Sequence, residues 1–198
     1  RSKSELLSET TKSELREIWI KEEFGREKFV QTNAMAKGTI VETDSIQLLQ
    51  DVTGEVYFKN NEQISNDILI GTPDIKKPLI DIKSSWDIWT FAKVDESYAV
   101  KTYIDQLAGY AMILEVNTAR IIFALTNTPS SMTEHELYKL SFSMPEEATE
   151  KYRNNFVYDD IEPSKRIKSY EFSFSDLDFD EIRNRVPLWR DYLNEMEL

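Results

Sequence analysis

The stretch Asp67–Asp87, DILIGTPDIKKPLIDIKSSWD, decides how this chain is read. Ile68, Leu69 and Ile70 form an apolar run that stops at Gly71-Thr72-Pro73, and Leu79, Ile80 and Ile82 form a second that stops at Ser84-Ser85. β-branched residues punctuated by Gly and Pro predict two short strands meeting at a turn. Asp74, Asp81 and Lys83 lie inside this apolar unit. Charge among apolar neighbours is costly unless it is paired or binds a metal. Asp81 and Lys83 are two residues apart, so on a strand they share a face. An antiparallel return would bring Asp74 beside the Asp81 end of its neighbour. Two hard oxygen donors then suit Mg²⁺, which keeps several waters and takes few protein ligands. A lysine beside them can orient a water or offset charge on a transferring phosphate. The plain alternative is a surface hairpin with solvated charges.

Outward from this stretch, two helices carry paired residues. Upstream, 38–51 is predicted to be a helix, with Ile40, Val41, Leu48 and Leu49 as its apolar stripe. Gly38 and Glu42 would then share a face. Downstream, Lys101–Glu115 is the clearest helix, and Gln106 and Tyr110 are neighbours on it at i, i+4. Glu55–Lys59 alternates as a strand, giving an antiparallel meander with the motif strands. Arg120–Thr126 reads as a buried strand and Leu137–Phe142 as its hairpin partner. At the N-terminal end, Ser8 or Thr10 caps a helix starting near Lys12, and Gly25 breaks it. At the C-terminal end, 145–160 is predicted helical with Pro145 in its first turn, Tyr170–Phe174 a strand, and the last helix is capped by Asp176 or Asp178. Pro187 should kink or restart that helix. His135, the single histidine, falls in a loop or strand start, with no serine elbow for a triad.

The motif order resembles that of the PD-(D/E)XK nuclease superfamily. Pro73-Asp74 followed by Asp81-Ile82-Lys83 is similar to its signature. Gly71 before Pro73-Asp74 gives the G-x-P-D form of the RecB-like and lambda-exonuclease-like branches, which include YqaJ-type phage recombination exonucleases. Gln106 and Tyr110 match their Q-x-x-x-Y element, and Gly38-Thr39-Ile40-Val41-Glu42 their Gly…Glu helix.

The resemblance implies an α/β (α+β) fold with an αβββαβ core, a central mixed sheet of about four to six strands flanked by helices. It implies one nuclease-like domain over 1–198, with a helical part at 1–37, the catalytic core at 38–143 and a helix-strand-helix extension at 144–198. By analogy Glu42, Asp74, Asp81 and the Ile82 carbonyl bind Mg²⁺, for which Mn²⁺ can substitute. Lys83 positions the attacking water, and Gln106 and Tyr110 lie over the site. Ser84, Ser85 and Trp86, with Arg26, Lys165 and Arg166, are candidate contacts to DNA. For Trp86, Trp89 and Phe91 a lid over the core is the other reading. For Arg26 it is a solvated helix face, and for Lys165 and Arg166 a solvated charge run. The implied activity is a metal-dependent DNA exonuclease of recombination or repair, acting on duplex ends in a bacterial or phage-infected cytoplasm. A homo-oligomer and a single-strand annealing partner are further family traits. A sequence- or structure-specific endonuclease, a non-catalytic nucleic-acid-binding module and a protein-interaction domain are the alternatives.

Composition bounds these readings. The 198 residues fit one domain, and 40% hydrophobic residues suffice for a core. No run of 18 apolar residues predicts a membrane span, and no secretory signal is visible. The sequence starts at Arg1, so the natural N-terminus is expected to be trimmed. Cysteine is absent, which excludes disulfides, thiolate zinc sites and the four-cysteine cluster of some RecB-like nucleases. The formal net charge of −12 opposes nonspecific binding to a polyanion. Metal ions on the carboxylates, and basic residues gathered on one face, would offset it.

Overall fold

The computed structural model describes residues 7–197. Among them eight α-helices and five strands follow in the order α1 (Glu9–Phe24), α2 (Asn33–Ile40), α3 (Glu42–Thr53), β1 (Ile64–Ser65), β2 (Ile70–Gly71), β3 (Ile80–Ser84), α4 (Ile88–Lys93), α5 (Glu96–Leu114), β4 (Thr118–Ala124), α6 (Ser130–Ser141), α7 (Glu146–Tyr152), β5 (Ile167–Ser173) and α8 (Asp176–Asn194). Contacts divide the chain into two compact units. One joins the N-terminal segment up to Val30 with the chain from Ser175 onward, and the other runs from Gln31 to Phe174. The sequence-drawn boundaries at 37/38 and 143/144 both fall inside the second unit.

In the first unit α1 packs on α8, and Leu15, Phe179 and Val186 are buried. Ser8 caps α1 by accepting the Thr11 N–H, and Gly25 ends it in the left-handed conformation at φ 61°. The cap of α8 is Ser175, not Asp176 or Asp178. Asp178 is instead the return partner of the box, its Oδ2 accepting from Ser175 N and Oγ at 2.7 Å each. The helix continues through Pro187, which gives up one backbone hydrogen bond without ending it.

The second unit is built on a mixed sheet in the order β3-β4-β5. β3 and β4 are parallel, with Asp81 opposite Ile121 and Lys83 opposite Phe123. A parallel pair needs a crossover, here carried by α4 and α5. β5 returns antiparallel beside β4. This is the α/β class expected, with five strands among the described residues, where about four to six were expected in the central sheet. They are divided, however: β1 and β2 form a separate antiparallel pair, leaving three strands in the central sheet.

Four predicted strands are placed differently. Glu55–Lys59 joins no sheet. Tyr57 is buried, but Glu55, Val56, Phe58 and Lys59 around it are all exposed, so a single side chain is anchored and not an alternating face. The Tyr57 N–H is taken by Gln50 Oε1 of α3 at 2.8 Å instead of a neighbouring strand. The two motif strands do not pair as a full hairpin either. β2 pairs with β1, and a single antiparallel bridge, Ile75 to Ile80, makes the return. Residues 137–141 are helical. Thr133 and Leu137, four apart, are the buried positions of α6, and Phe142 is its exposed C-cap. His135 therefore sits on a helix.

Two helix expectations also change. The 38–51 helix is broken at Val41, whose ψ of 13° leaves the helical region; α2 ends and α3 begins around it. The Val41 carbonyl accepts from both Ser45 N and Ser45 Oγ, and a side chain competing for a backbone acceptor favours such a break. Gly38 and Glu42 thus lie on different helices. The helix predicted over 145–160 stops at Tyr152 and passes into a 3₁₀ turn, with Pro145 as its N-cap.

The two faces of the sheet are unlike. On one, Ile46, Leu48 and Leu49 of α3 bury Ile80, Ile82, Ile122 and Ala124. Each such side chain taken from water stabilises by about 1.5–3 kcal/mol. On the other, Asp81, Lys83 and Phe123 meet the aromatic side of α5. The acidic cluster is held on that second face.

Candidate active site

Asp81 lies mid-strand in β3 and is 2% exposed. The strand period puts Lys83 on the same face, and its Nζ is 2.8 Å from Asp81 Oδ2. The Ile75–Ile80 bridge, with both N–H···O bonds at 3.0 Å, sets position 74 opposite 81. Asp74 Oδ2 accepts the Ile82 N–H at 2.6 Å, which fixes the carboxylate against the strand. Glu42 comes from the start of α3 and pairs with Lys59 at 3.0 Å. Glu42, Asp74, Ile82, Lys83, Ser84 and Tyr103 line one open cavity of about 430 Å³.

The electrostatics of the pair are unfavourable as it stands. Burial pushes Asp74 up to about 6, and the Asp81 charge adds to the effect; the Ile82 N–H and Lys83 oppose it. Burial likewise raises Asp81, with Lys83 opposing. The Lys83 ammonium forms an ion pair with Asp81 Oδ2. That buried oxygen has no other partner. Two crowded, buried carboxylates served by a single ammonium fit a further cation. Among the described residues no three His, Cys, Asp or Glu side chains form a ready-made cage. Mg²⁺ does not require one, since one or two carboxylates and several waters suffice. Asp74 and Asp81 are the donors that fit, with Glu42 at the rim and engaged by Lys59.

The other sequence candidates are dispersed. Ser84 Oγ is 2.7 Å from Ser45 Oγ, and Ser84 also borders a second cavity of about 310 Å³ that includes Lys83, Ser85, Trp86, Lys93, Tyr98 and Tyr103. Trp86 packs edge-on against Phe156. Gln106 donates to the Tyr110 hydroxyl at 2.9 Å, and the Tyr110 ring lies against Gly71, where an added Cβ would be 2.4 Å from Cε1. The glycine of G-x-P-D and the tyrosine of Q-x-x-x-Y are therefore one contact. Arg26 belongs to the other unit and donates to the Phe24 carbonyl. Lys165 and Arg166 precede β5, at the far strand from β3, and pair with Glu162 and Asp159. They do not join the acidic cluster.

Two residues escape the sequence reading. Tyr103 places its ring 5.0 Å from Lys83 Nζ. Its signal was available, because Tyr103, Gln106 and Tyr110 recur at i, i+3 and i+7. Lys37 is fully buried and donates to the carbonyls of Ser85 and Trp86 at 2.9 and 3.0 Å. Burial lowers its ammonium to about 8, partly offset by Asp87. In sequence Lys37 is one basic residue among several, and only the tertiary structure buries it.

The fold is that of phage-related and alkaline exonucleases of known structure, which supports the resemblance of the motif order to the lambda-exonuclease-like branch of the PD-(D/E)XK superfamily. No protein-family description matches the chain, and no curated protein does. Among solved structures, a phage-related exonuclease from Haemophilus somnus 129PT is similar at a TM-score of 0.76 and 26% identity, covering 96% of this chain and 83% of that one. An alkaline exonuclease, LHK-Exo from Laribacter hongkongensis, is similar at 0.64 and 13% identity, covering 94% and 81%. The same enzyme in complex with dAMP gives 0.60 and 15%, covering 92% and 78%. No helix among the described residues is long and apolar enough to cross a membrane.

Proposed function

We propose that this chain is a divalent-metal-dependent DNA exonuclease that hydrolyses phosphodiester bonds at duplex ends, in phage-type recombination or repair. The observation that carries the reading is the convergence of Asp74, Asp81 and Lys83 at β3, where two buried carboxylates face one ammonium. The likeness to exonucleases over most of the chain supports it.

Asp74 and Asp81 would hold Mg²⁺, with the Ile82 carbonyl and, through water, Glu42 completing its surroundings. When bound, the ion supplies Lewis acidity at the scissile phosphate and a more acidic water. Lys83 orients that water and offsets charge as the pentacoordinate phosphorus forms. Asp74, held by the Ile82 N–H, keeps its place without reorganisation. The adjoining cavity presents Lys93, Trp86 and Tyr98, a basic and aromatic path for a strand despite the negative net charge.

The test compares end-labelled linear duplex DNA with a covalently closed circle of the same sequence, in Mg²⁺ and in EDTA. Loss of the linear DNA alone, only with Mg²⁺, and a roughly 10²–10³-fold slower Lys83→Ala variant are expected. Cleavage of the circle would make the protein an endonuclease. Undiminished activity in EDTA would remove the mechanism.

A further inference from the structure

The Lys83 ammonium has two close neighbours, and they respond differently to a cation. Asp81 Oδ2 lies 2.8 Å away, and the Tyr103 ring centroid 5.0 Å away. Under the function proposed above, on which this inference rests, Asp81 is a cation ligand. A carboxylate shared with a divalent ion attracts a lysine less, because its charge is already neutralised. The face of an aromatic ring is indifferent to that competition. Its quadrupole attracts an ammonium, while a hard dication prefers oxygen donors.

The ring is also fixed in place. It packs against Phe123 at 5.8 Å and Tyr98 at 6.1 Å, and Phe123 in turn meets Tyr98 at 6.1 Å and Tyr170 at 6.3 Å. Phe123 is 2% exposed and is the β4 residue registered opposite Lys83. The strand that carries the lysine is thus locked to the residue that backs the tyrosine. Tyr103 borders both cavities that Lys83 borders.

We propose that Tyr103 is the positioning residue for Lys83: its ring face retains the ammonium in the cavity when Asp81 is engaged by the metal. The contact needs the ring and not the hydroxyl. Tyr103→Phe should therefore keep the wild-type rate, whereas Tyr103→Leu should lower kcat roughly 2–30-fold with little change in KM.

A second readout does not depend on turnover. In protein labelled with ¹³C-lysine, the Lys83 ε-CH₂ signal, assigned by its loss in Lys83→Arg, should be shifted upfield by the ring. The shift should survive Mg²⁺ addition in wild type and in Tyr103→Phe, and vanish in Tyr103→Leu. If the leucine variant does not fold, Tyr103→Met, which fills space without a ring face, takes its place. The proposal is overturned if Tyr103→Phe loses as much rate as Tyr103→Leu, if the lysine signal is the same with and without the ring, or if Mg²⁺ abolishes the shift in wild type. A wild type that cleaves no DNA would sink the nuclease reading, and the lysine signal alone would then decide the role of Tyr103.

Discussion

Replacing Gly71 by alanine should test whether the two halves of the motif are one mechanical unit. The new methyl would lie 2.4 Å from Cε1 and 3.0 Å from Cδ1 of Tyr110, about 1 Å inside ordinary contact. Neither side can easily yield. The Tyr110 hydroxyl is held by Gln106 at 2.9 Å, Gly71 is paired with Ile64 of β1, and Pro73 two residues on is fully buried. Overpacking of this kind costs about 1–3 kcal/mol. With a urea dependence of about 2 kcal/mol per molar, the unfolding midpoint should fall by about 1 M. The Tyr110→Ala variant removes the ring, so in that background the same Gly71→Ala change should cost no more than about 0.5 kcal/mol. Urea unfolding of the four proteins completes the cycle. An unchanged midpoint for Gly71→Ala, or fully additive losses in the double variant, would refute the contact as the reason for the glycine.

Three more outcomes follow from the same structure. Asp74, raised from 3.8 to about 6 by burial and by Asp81, favours the fold when protonated. Its contribution is complete below about pH 4 and lost as pH rises through 6, at most about 3 kcal/mol, so metal-free protein should weaken over that range in urea unfolding and Asp74→Asn should flatten the loss. Mg²⁺ should raise the thermal midpoint at pH 7.5 far more than at pH 5, and Asp81→Asn should abolish the difference; an equal rise at both pH values would contradict the carboxylate site. Lys37 has the opposite pH dependence. Its folded value of about 8 lies below the ordinary 10.5, so stability should climb between pH 8 and 10.5, by up to about 3 kcal/mol, and Lys37→Met should lose that climb.

The chemistry of the site was legible because it is local. The period-2 alternation alone put Asp81 and Lys83 on one face, and the turn at 76–79, closed by the Ile75–Ile80 bridge, brings Asp74 back. The helix bearing Gln106 and Tyr110 was legible for the same reason, since i, i+4 spacing survives any tertiary setting. The 137–142 segment misled because Leu140 and Phe142 alternate, whereas the side chains that pack are Thr133 and Leu137, at helical spacing. Residues 55–59 misled because a strand pattern does not say whether a partner strand is present, and here Gln50 takes the Tyr57 N–H.

The sequence by itself determined which atoms could meet a cation: two carboxylates and an amine set by strand period and a turn. Only the tertiary structure decided what surrounds them. It placed β4 beside β3 so that Phe123 backs Tyr103, turned Tyr103 towards Lys83, and buried Lys37 beneath Ser85 and Trp86. Those contacts join segments tens of residues apart, and no local periodicity encodes which segments become neighbours.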